Sequence, residues 1–425
     1  MVLAASSLWP QDQQSPAMDG YVTRVAATSD FDVNGFRVLC GSQTLLGPVP
    51  RTGQVVQVRG CPHNLPFVGQ PMEVSGEKDR KKRTITAARI VALPLSDDEI
   101  SGSAVIDAVP VLQSANPQPS ALLVRADGYQ ILISKETRIE WTPPLGALNQ
   151  VKAGDWMKYK GKIDANGVLV AGSVKLSPGA VSKAEHRFRE KYEFDPSAGF
   201  PSPAPKPLNE WYGNTDLATI PIVVHSPLQQ RIKAIGDKLI PAYERDLPGN
   251  DPARLNFHFQ LVDEPWRGCL VLPSGVIFVP VAAVERMQND SQIAAVLAAA
   301  LADVLERQQY RTSRFGAPSA IQAGANFAAA YLPQGGEIWG AGLVASKIVQ
   351  KDINTRLADQ RGRVSLTLMH DAGYDIDQAP LAWWLLDSKK PRPIEKTVLP
   401  KYSAYLYQVL GEVWHTRSET IPQGR

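Results

Sequence analysis

Cysteine, net charge and long apolar runs are all scarce in this chain of 425 residues, and each scarcity removes a class of protein. Three cysteines, at 40, 61 and 269, are too few for a disulfide scaffold. Cys40 and Cys61 are near enough in sequence to pair in an oxidising compartment, but each also reads as a small buried apolar residue, the reading preferred here. A formal charge of +3 implies neither nucleic acid nor an anionic membrane as an obligatory partner. The one dense basic cluster, Lys78-Asp79-Arg80-Lys81-Lys82-Arg83, is flanked by strand-like sequence and reads as a solvated hairpin tip. No stretch of about 18 apolar residues exists, so no transmembrane helix is expected. Residues 1–10 are apolar but lack the basic start of a signal peptide. They look like the tail of one, so residues 1–18 read as a leader remnant or disordered, and the expected location is periplasmic or secreted, otherwise cytoplasmic.

What is present divides the chain in two styles. Up to about residue 180 it consists of short β-branched runs broken by turn signals, including Asn34-Gly35, Asp127-Gly128 and Asn166-Gly167. These runs repeat. Val68-Gly69-Gln70-Pro71-Met72-Glu73-Val74-Ser75-Gly76 matches Ala153-Gly154-Asp155-Trp156-Met157-Lys158-Tyr159-Lys160-Gly161, and the closing glycines are 85 residues apart. About five strands in some 80 residues suit a small closed barrel, which removes exposed sheet edges. The spacing therefore predicts two barrels, over 19–95 and 100–178, similar to the small OB-like tandem barrels of exported bacterial proteins. Aromatic platforms for nucleic acid or sugar are sparse on them, which favours packing or protein contact.

Residues 182–215, rich in proline after a short charged helix, read as an inter-domain linker. Beyond it the pattern is mostly helical: an amphipathic helix after Ser226-Pro227, strands at 255–262 and 276–279, long helices at about 291–309 and 341–372, and a last one near 402–414. The apolar stripe of that last helix, from Tyr402 to Trp414, and the pair Trp383-Trp384 read as packing faces.

Four strings occur in order in this second part: Phe257-His258-Phe259-Gln260-Leu261-Val262-Asp263, Leu272-Pro273-Ser274-Gly275-Val276-Ile277-Phe278-Val279, Gln292-Ile293-Ala294-Ala295-Val296-Leu297, and Ala358-Asp359-Gln360-Arg361-Gly362 continuing to Asp375. Together they resemble the HtpX-type (zincin) zinc metallopeptidases. In that family the third string runs into H-E-x-x-H, where two histidines one helical turn apart grip zinc and the glutamate activates its water. The resemblance places Ala299 at the first histidine, Ala300 at the general base and Asp303 at the second histidine. Thr355 stands where the third ligand, a glutamate, is expected. Alanine neither ligates metal nor moves protons, and the six histidines form no other i, i+4 pair on a helix. No catalytic residue, metal ligand or cofactor is therefore expected.

The resemblance implies a multidomain fold: two all-β small barrels, then a mostly α, α+β zincin-like domain over 216–418. It implies that Ser274, Gly275 and Val276 belong to the strand lining the former cleft, which either takes an extended peptide at an open edge or pairs internally. Asp303 and Asp359 are expected to face each other between two helices, with Arg361 or Arg307 near enough to bond across the old site in place of zinc. The function expected is a non-catalytic pseudo-metallopeptidase with a peptide or protein partner. Two alternatives stay open: an active zinc-dependent endopeptidase with unusual ligands, and a carbohydrate or nucleic-acid binder acting through the barrels.

Overall fold

The computed structural model describes residues 17–47, 58–59, 61–62, 66–93, 98–109, 121–164, 166–195, 198–200, 216–224, 226–313, 344–387, 392–394 and 397–415. Residues 1–16, the prolines at 201–207 and His63 and His225 lie outside them, as do the expectations that fall there. The chain forms two compact units, residues 1–95 and 96–425.

The first unit is a closed sheet. Its strands are β1 (Ala17–Ala27), β2 (Asp30–Val33), β3 (Phe36–Leu39), β4 (Leu45–Leu46), β5 (Val58–Arg59), β6 (Pro71–Asp79) and β7 (Thr84–Ala92). β1 pairs antiparallel with β2 and β6, β2 with β3 and β6 with β7, and β3 closes the ring by running parallel to β7. The alternation read from the sequence is the alternation seen: Met72 and Val74 of β6 point inward onto Val22, Phe31, Val38 and Ile85. Asn34 and Gly35 both take the positive φ, 49° and 71°, that the tight β2–β3 turn needs. Residues 78–83 form the β6–β7 tip, as expected. Cys40 and Cys61 are disulfide-bonded, with Cα atoms 5.4 Å apart, which corrects the reading of both as unpaired core residues. The preference for burial failed because β5 brings Cys61 to the end of β3, a long-range closure that spacing does not encode.

The second unit starts with the same wiring: β8 (Ile100–Ala108), β9 (Leu122–Ala126), β10 (Tyr129–Ile133), β11 (Arg138–Trp141), β12 (Trp156–Ile163) and β13 (Leu169–Ser177). β8 pairs with β9 and β12, β12 with β13, and β10 closes the ring parallel to β13. The repeat extends to detail. Both barrels carry a bulge at the matched glycine, between Ser75 and Gly76 and between Lys160 and Gly161. At Gly76 a Cβ would come within 2.0 Å of the Thr86 carbonyl oxygen, and at Gly161 within 2.3 Å of that of Val170, so only glycine fits. Thr44 and Thr137 donate alike, to Ala87 O at 2.8 Å and Ala171 O at 2.7 Å. The Asn166-Gly167 turn is organised by Asp164, whose carboxylate accepts from the Asn166 and Val168 amides at 2.9 Å.

The rest of this unit is a helical body with a small sheet. Helices α1 (Lys183–Glu190), α2 (Pro227–Leu239), α3 (Ala242–Arg245), α4 (Val281–Val284), α5 (Asp290–Leu305), α6 (Gln308–Ser313), α7 (Val344–Asp371), α8 (Gln378–Asp387) and α9 (Lys401–Val409) accompany β14 (His258–Val262), β15 (Leu270–Val271) and β16 (Val276–Pro280). α5 is apolar all round and runs through the centre, buried from Gln292 to Leu305. Its start is fixed by Asn289, whose Oδ1 accepts from the Gln292 amide at 2.9 Å. The single helix expected to about 309 breaks in two, because Arg307 takes a φ of 52°. The last helix widens into a π-helical stretch, Leu410–His415, and its stripe is buried as expected at Tyr402, Leu406, Val409, Leu410 and Val413.

Residues 183–200, read from sequence as linker, carry core. Tyr192 and Phe194 are buried with Leu217, Ile220, Val262, Leu272, Val276 and Phe278, and Phe188 and Phe200 pack on them. Four aromatics among the prolines and charges explain the difference: apolar area of that size is stable only when covered.

Candidate functional site

The positions singled out on α5 sit at its deeply buried end. Ala299 and Ala300 are 1% and 5% exposed, and Asp303, one turn beyond Ala299, shares its face. A carboxylate in such a place needs a partner, and α7 supplies one. Arg361 Nε donates to Asp303 Oδ1 at 2.5 Å, and its Nη2 reaches Oδ2, a bidentate fork that joins the two helices. Burial pushes the Asp303 carboxyl up from its ordinary range while the Arg361 guanidinium pulls it back. Arg361, one of the two arginines expected near Asp303, is thus its partner; residues two apart on a helix, as Asp359 and Arg361 are, lie on different faces. Thr355, half-buried on α7, lies off the Arg361 face by the same helical geometry. The Asp359 carbonyl accepts from the Tyr405 hydroxyl at 3.1 Å.

The strand residues resolve the choice left open by sequence. β16 is the central strand of its sheet, parallel to β14 and antiparallel to β15, so Val276 is internally paired and 1% exposed. Gly275 turns the chain at φ 105°, and the Ser274 hydroxyl donates to the Tyr192 carbonyl at 2.5 Å. The segment carrying α1 thereby lies beside Asp303. Buried Glu185 takes Arg189 Nη2 at 2.6 Å, with Arg307 Nη1 at 3.5 Å, and Arg189 also donates to the Ala253 carbonyl at 3.2 Å. Together with Pro273 and Asp303 these side chains line a small, partly open pocket with room for about one water molecule.

A second polar network, not foreseen from sequence, ties the second barrel to α5–α7. Glu306, at the end of α5, accepts from the Val105 amide of β8 at 3.1 Å and from Gln360 Nε2 at 3.2 Å. Gln360 Nε2 also donates to the Ser103 carbonyl at 3.0 Å. Burial pushes the Glu306 carboxyl up to about 8, with nearby Asp127 adding to the shift. Asp127, in the β9–β10 turn and 2% exposed, accepts from Arg363 Nη2 at 2.7 Å and from the Tyr159 hydroxyl at 2.5 Å. Arg363 reaches on to the Tyr405 hydroxyl at 2.7 Å. Gly128 completes the fit: a Cβ there would lie 2.6 Å from Arg363 Cβ. The available signal was the charged and polar run Asp359-Gln360-Arg361-Gly362-Arg363 inside a helix that carries no charge from 364 to 369, where every residue is buried.

These residues do not fit a zinc ion. Ala299 and Ala300 offer no donor atom, and Asp303 already binds a guanidinium with both oxygens. Among the described residues no three His, Cys, Asp or Glu side chains come together as a metal-binding group. Nor is Cys269 suited to nucleophilic chemistry, because burial pushes its thiol up to about 12. No helix of the described residues is long and apolar enough to cross a membrane. No protein-family model matches the chain, and no curated protein matches it in sequence.

Proposed function

We propose that residues 216–418 are a degenerate, HtpX-like metallopeptidase domain, and that the protein cuts nothing but binds a peptide or protein partner. The observation carrying this reading is the Asp303–Arg361 fork. It bridges two helices at the position where the resembled peptidases hold zinc, and a buried bidentate ion pair is a chemically sound substitute for a metal cross-link. The alanines at 299 and 300 support it, since water activation needs a base and a metal. The packing of α1 beside Asp303 supports it too, because a scissile peptide would have to displace Glu185 and Arg189. With β16 internally paired, partner contact falls to outer surfaces, those of the two barrels among them. Their ring of pairings suits an OB-like reading, and the Cys40–Cys61 bond favours an oxidising, exported setting.

The test is incubation of the full chain with zinc and an unfolded protein such as casein. The expected result is no cleavage above that of chelator-treated protein. Zinc-dependent cleavage that Asp303→Ala abolishes would instead establish an active peptidase with unusual ligands.

A further inference from the structure

The β6–β7 hairpin of the first unit ends in five cations within six residues, Lys78, Arg80, Lys81, Lys82 and Arg83, with Asp79 the single acid among them. Asp79 holds the turn itself, its Oδ1 accepting from the Lys81 and Lys82 amides at 2.9 and 3.0 Å, and its nearest cation is Lys82 at 3.9 Å. Lys78, Arg80, Lys81 and Lys82 are exposed. Burial first, and then the neighbouring Arg80 and Arg83, pull the Lys78 ammonium below its ordinary range. Five like charges held together by a hydrogen-bonded turn repel one another, and an anionic surface relieves that repulsion.

Four observations choose among anionic partners. Nucleic acid on a small barrel needs a cationic track with free aromatic faces. Here the one ring at the tip, Phe36, is already covered by Lys78 Nζ at 4.0 Å and by the Arg83 guanidinium at 5.1 Å from its centroid. Along the neighbouring β1–β2–β3 face the cations are neutralised: Arg24 forks onto Asp32 and contacts Asp30, and Arg37 lies 3.5 Å from Asp30. The charge is therefore a point at a turn and not a track along a face. Next to it, Leu39 of β3, paired in register with Thr86 of β7, is exposed at 43% and offers an apolar contact. The disulfide in the same barrel suits a compartment where membrane lipid is abundant and nucleic acid is not.

We infer that the 78–83 hairpin tip docks the first barrel on anionic phospholipid, its cations against headgroup phosphates and Leu39 against the interface. Such contact is peripheral and electrostatic, so it weakens with salt. The test is co-sedimentation of the full chain with vesicles of phosphatidylcholine alone, or mixed with phosphatidylglycerol. Binding is expected only to the mixed vesicles and is lost at high salt. Lys81→Glu with Lys82→Glu, which leaves the Asp79-held turn intact, should weaken it at least about thirtyfold, from about 1 kcal/mol for each lost cation. The same reversal at exposed Lys152 and Lys158 of the second barrel should leave binding unchanged. Equal binding to both vesicles, equal loss in both double variants, or tighter binding to a single-stranded oligonucleotide at the same salt would each overturn the inference.

Discussion

Removing one member of the Asp303–Arg361 fork leaves the other charged and buried, and the cost can be worked from the structure. Asp303 is 7% exposed and the Arg361 side chain 13%, so water can replace the lost partner only in part. Breaking a buried pair from one side costs about 3–5 kcal/mol, so Arg361→Ala and Asp303→Ala should each fall in that range. Replacing both ends with apolar groups of similar size, Asp303→Leu with Arg361→Met, removes charge and desolvation together and should return to within about 1 kcal/mol of the parent. In Arg361→Ala the Asp303 carboxyl has burial pushing it up and no guanidinium opposing it. The folded state then holds a proton that the unfolded state has lost, so stability falls as pH rises above the unfolded carboxyl range. The variant should lose less at pH 5 than at pH 8. Urea unfolding followed by tryptophan fluorescence is a suitable assay, since eight of the nine tryptophans belong to the second unit. Single variants costing under about 1 kcal/mol and adding in the double would refute the view that this pair links α5 to α7.

Further expectations concern the seams and repeats. Glu306, with its carboxyl pushed up to about 8, binds a proton that the unfolded chain releases near pH 4.5, so it lowers stability as pH rises between those values. Glu306→Gln should flatten that slope, at most about 1.4 kcal/mol per pH unit, in unfolding curves taken from pH 5 to 9. Gly161→Ala, with its Cβ aimed at the Val170 carbonyl, should destabilise clearly more than Gly154→Ala, which has open space and only a positive φ of 91° to strain it, at about 1 kcal/mol. Thermal denaturation compares them. Denatured but unreduced protein should show one reactive thiol, Cys269, against three after reduction. Reduction should lower the first barrel's stability by about 3 kcal/mol, for a bond that closes a 21-residue separation.

What was legible in the sequence was whatever rests on local periodicity. Both barrels, the Asn34-Gly35 turn, the hairpin at 78–83 and the central strand at 276–279 are written in alternation and turn chemistry, and they stand where expected. Less legible was anything decided by distant partners. Whether Cys40 and Cys61 pair depends on a strand that closes over 21 residues, and the arrest of α5 depends on one residue, Arg307, with positive φ. The role of 183–200 was hidden by its charges and by the prolines that follow at 201–207, although Phe188, Tyr192, Phe194 and Phe200 were visible and too apolar for an exposed strap. At the candidate site the alanines at 299 and 300, Asp303 and the nearness of Arg361 were readable. The bidentate geometry was not, because it depends on the relative phase of two helices that are far apart in sequence. The tie between the second barrel and α7 involves residues more than 200 apart and left only a trace, the polar run 359–363.

Metal stoichiometry tests the central claim most directly. The untagged full chain, purified and weighed by native mass spectrometry before and after zinc loading and dialysis, should carry near-zero zinc both times, with Asp303 held by Arg361. About one tightly bound zinc per chain, lost in Asp303→Ala, would contradict the account and favour a zinc-dependent peptidase instead.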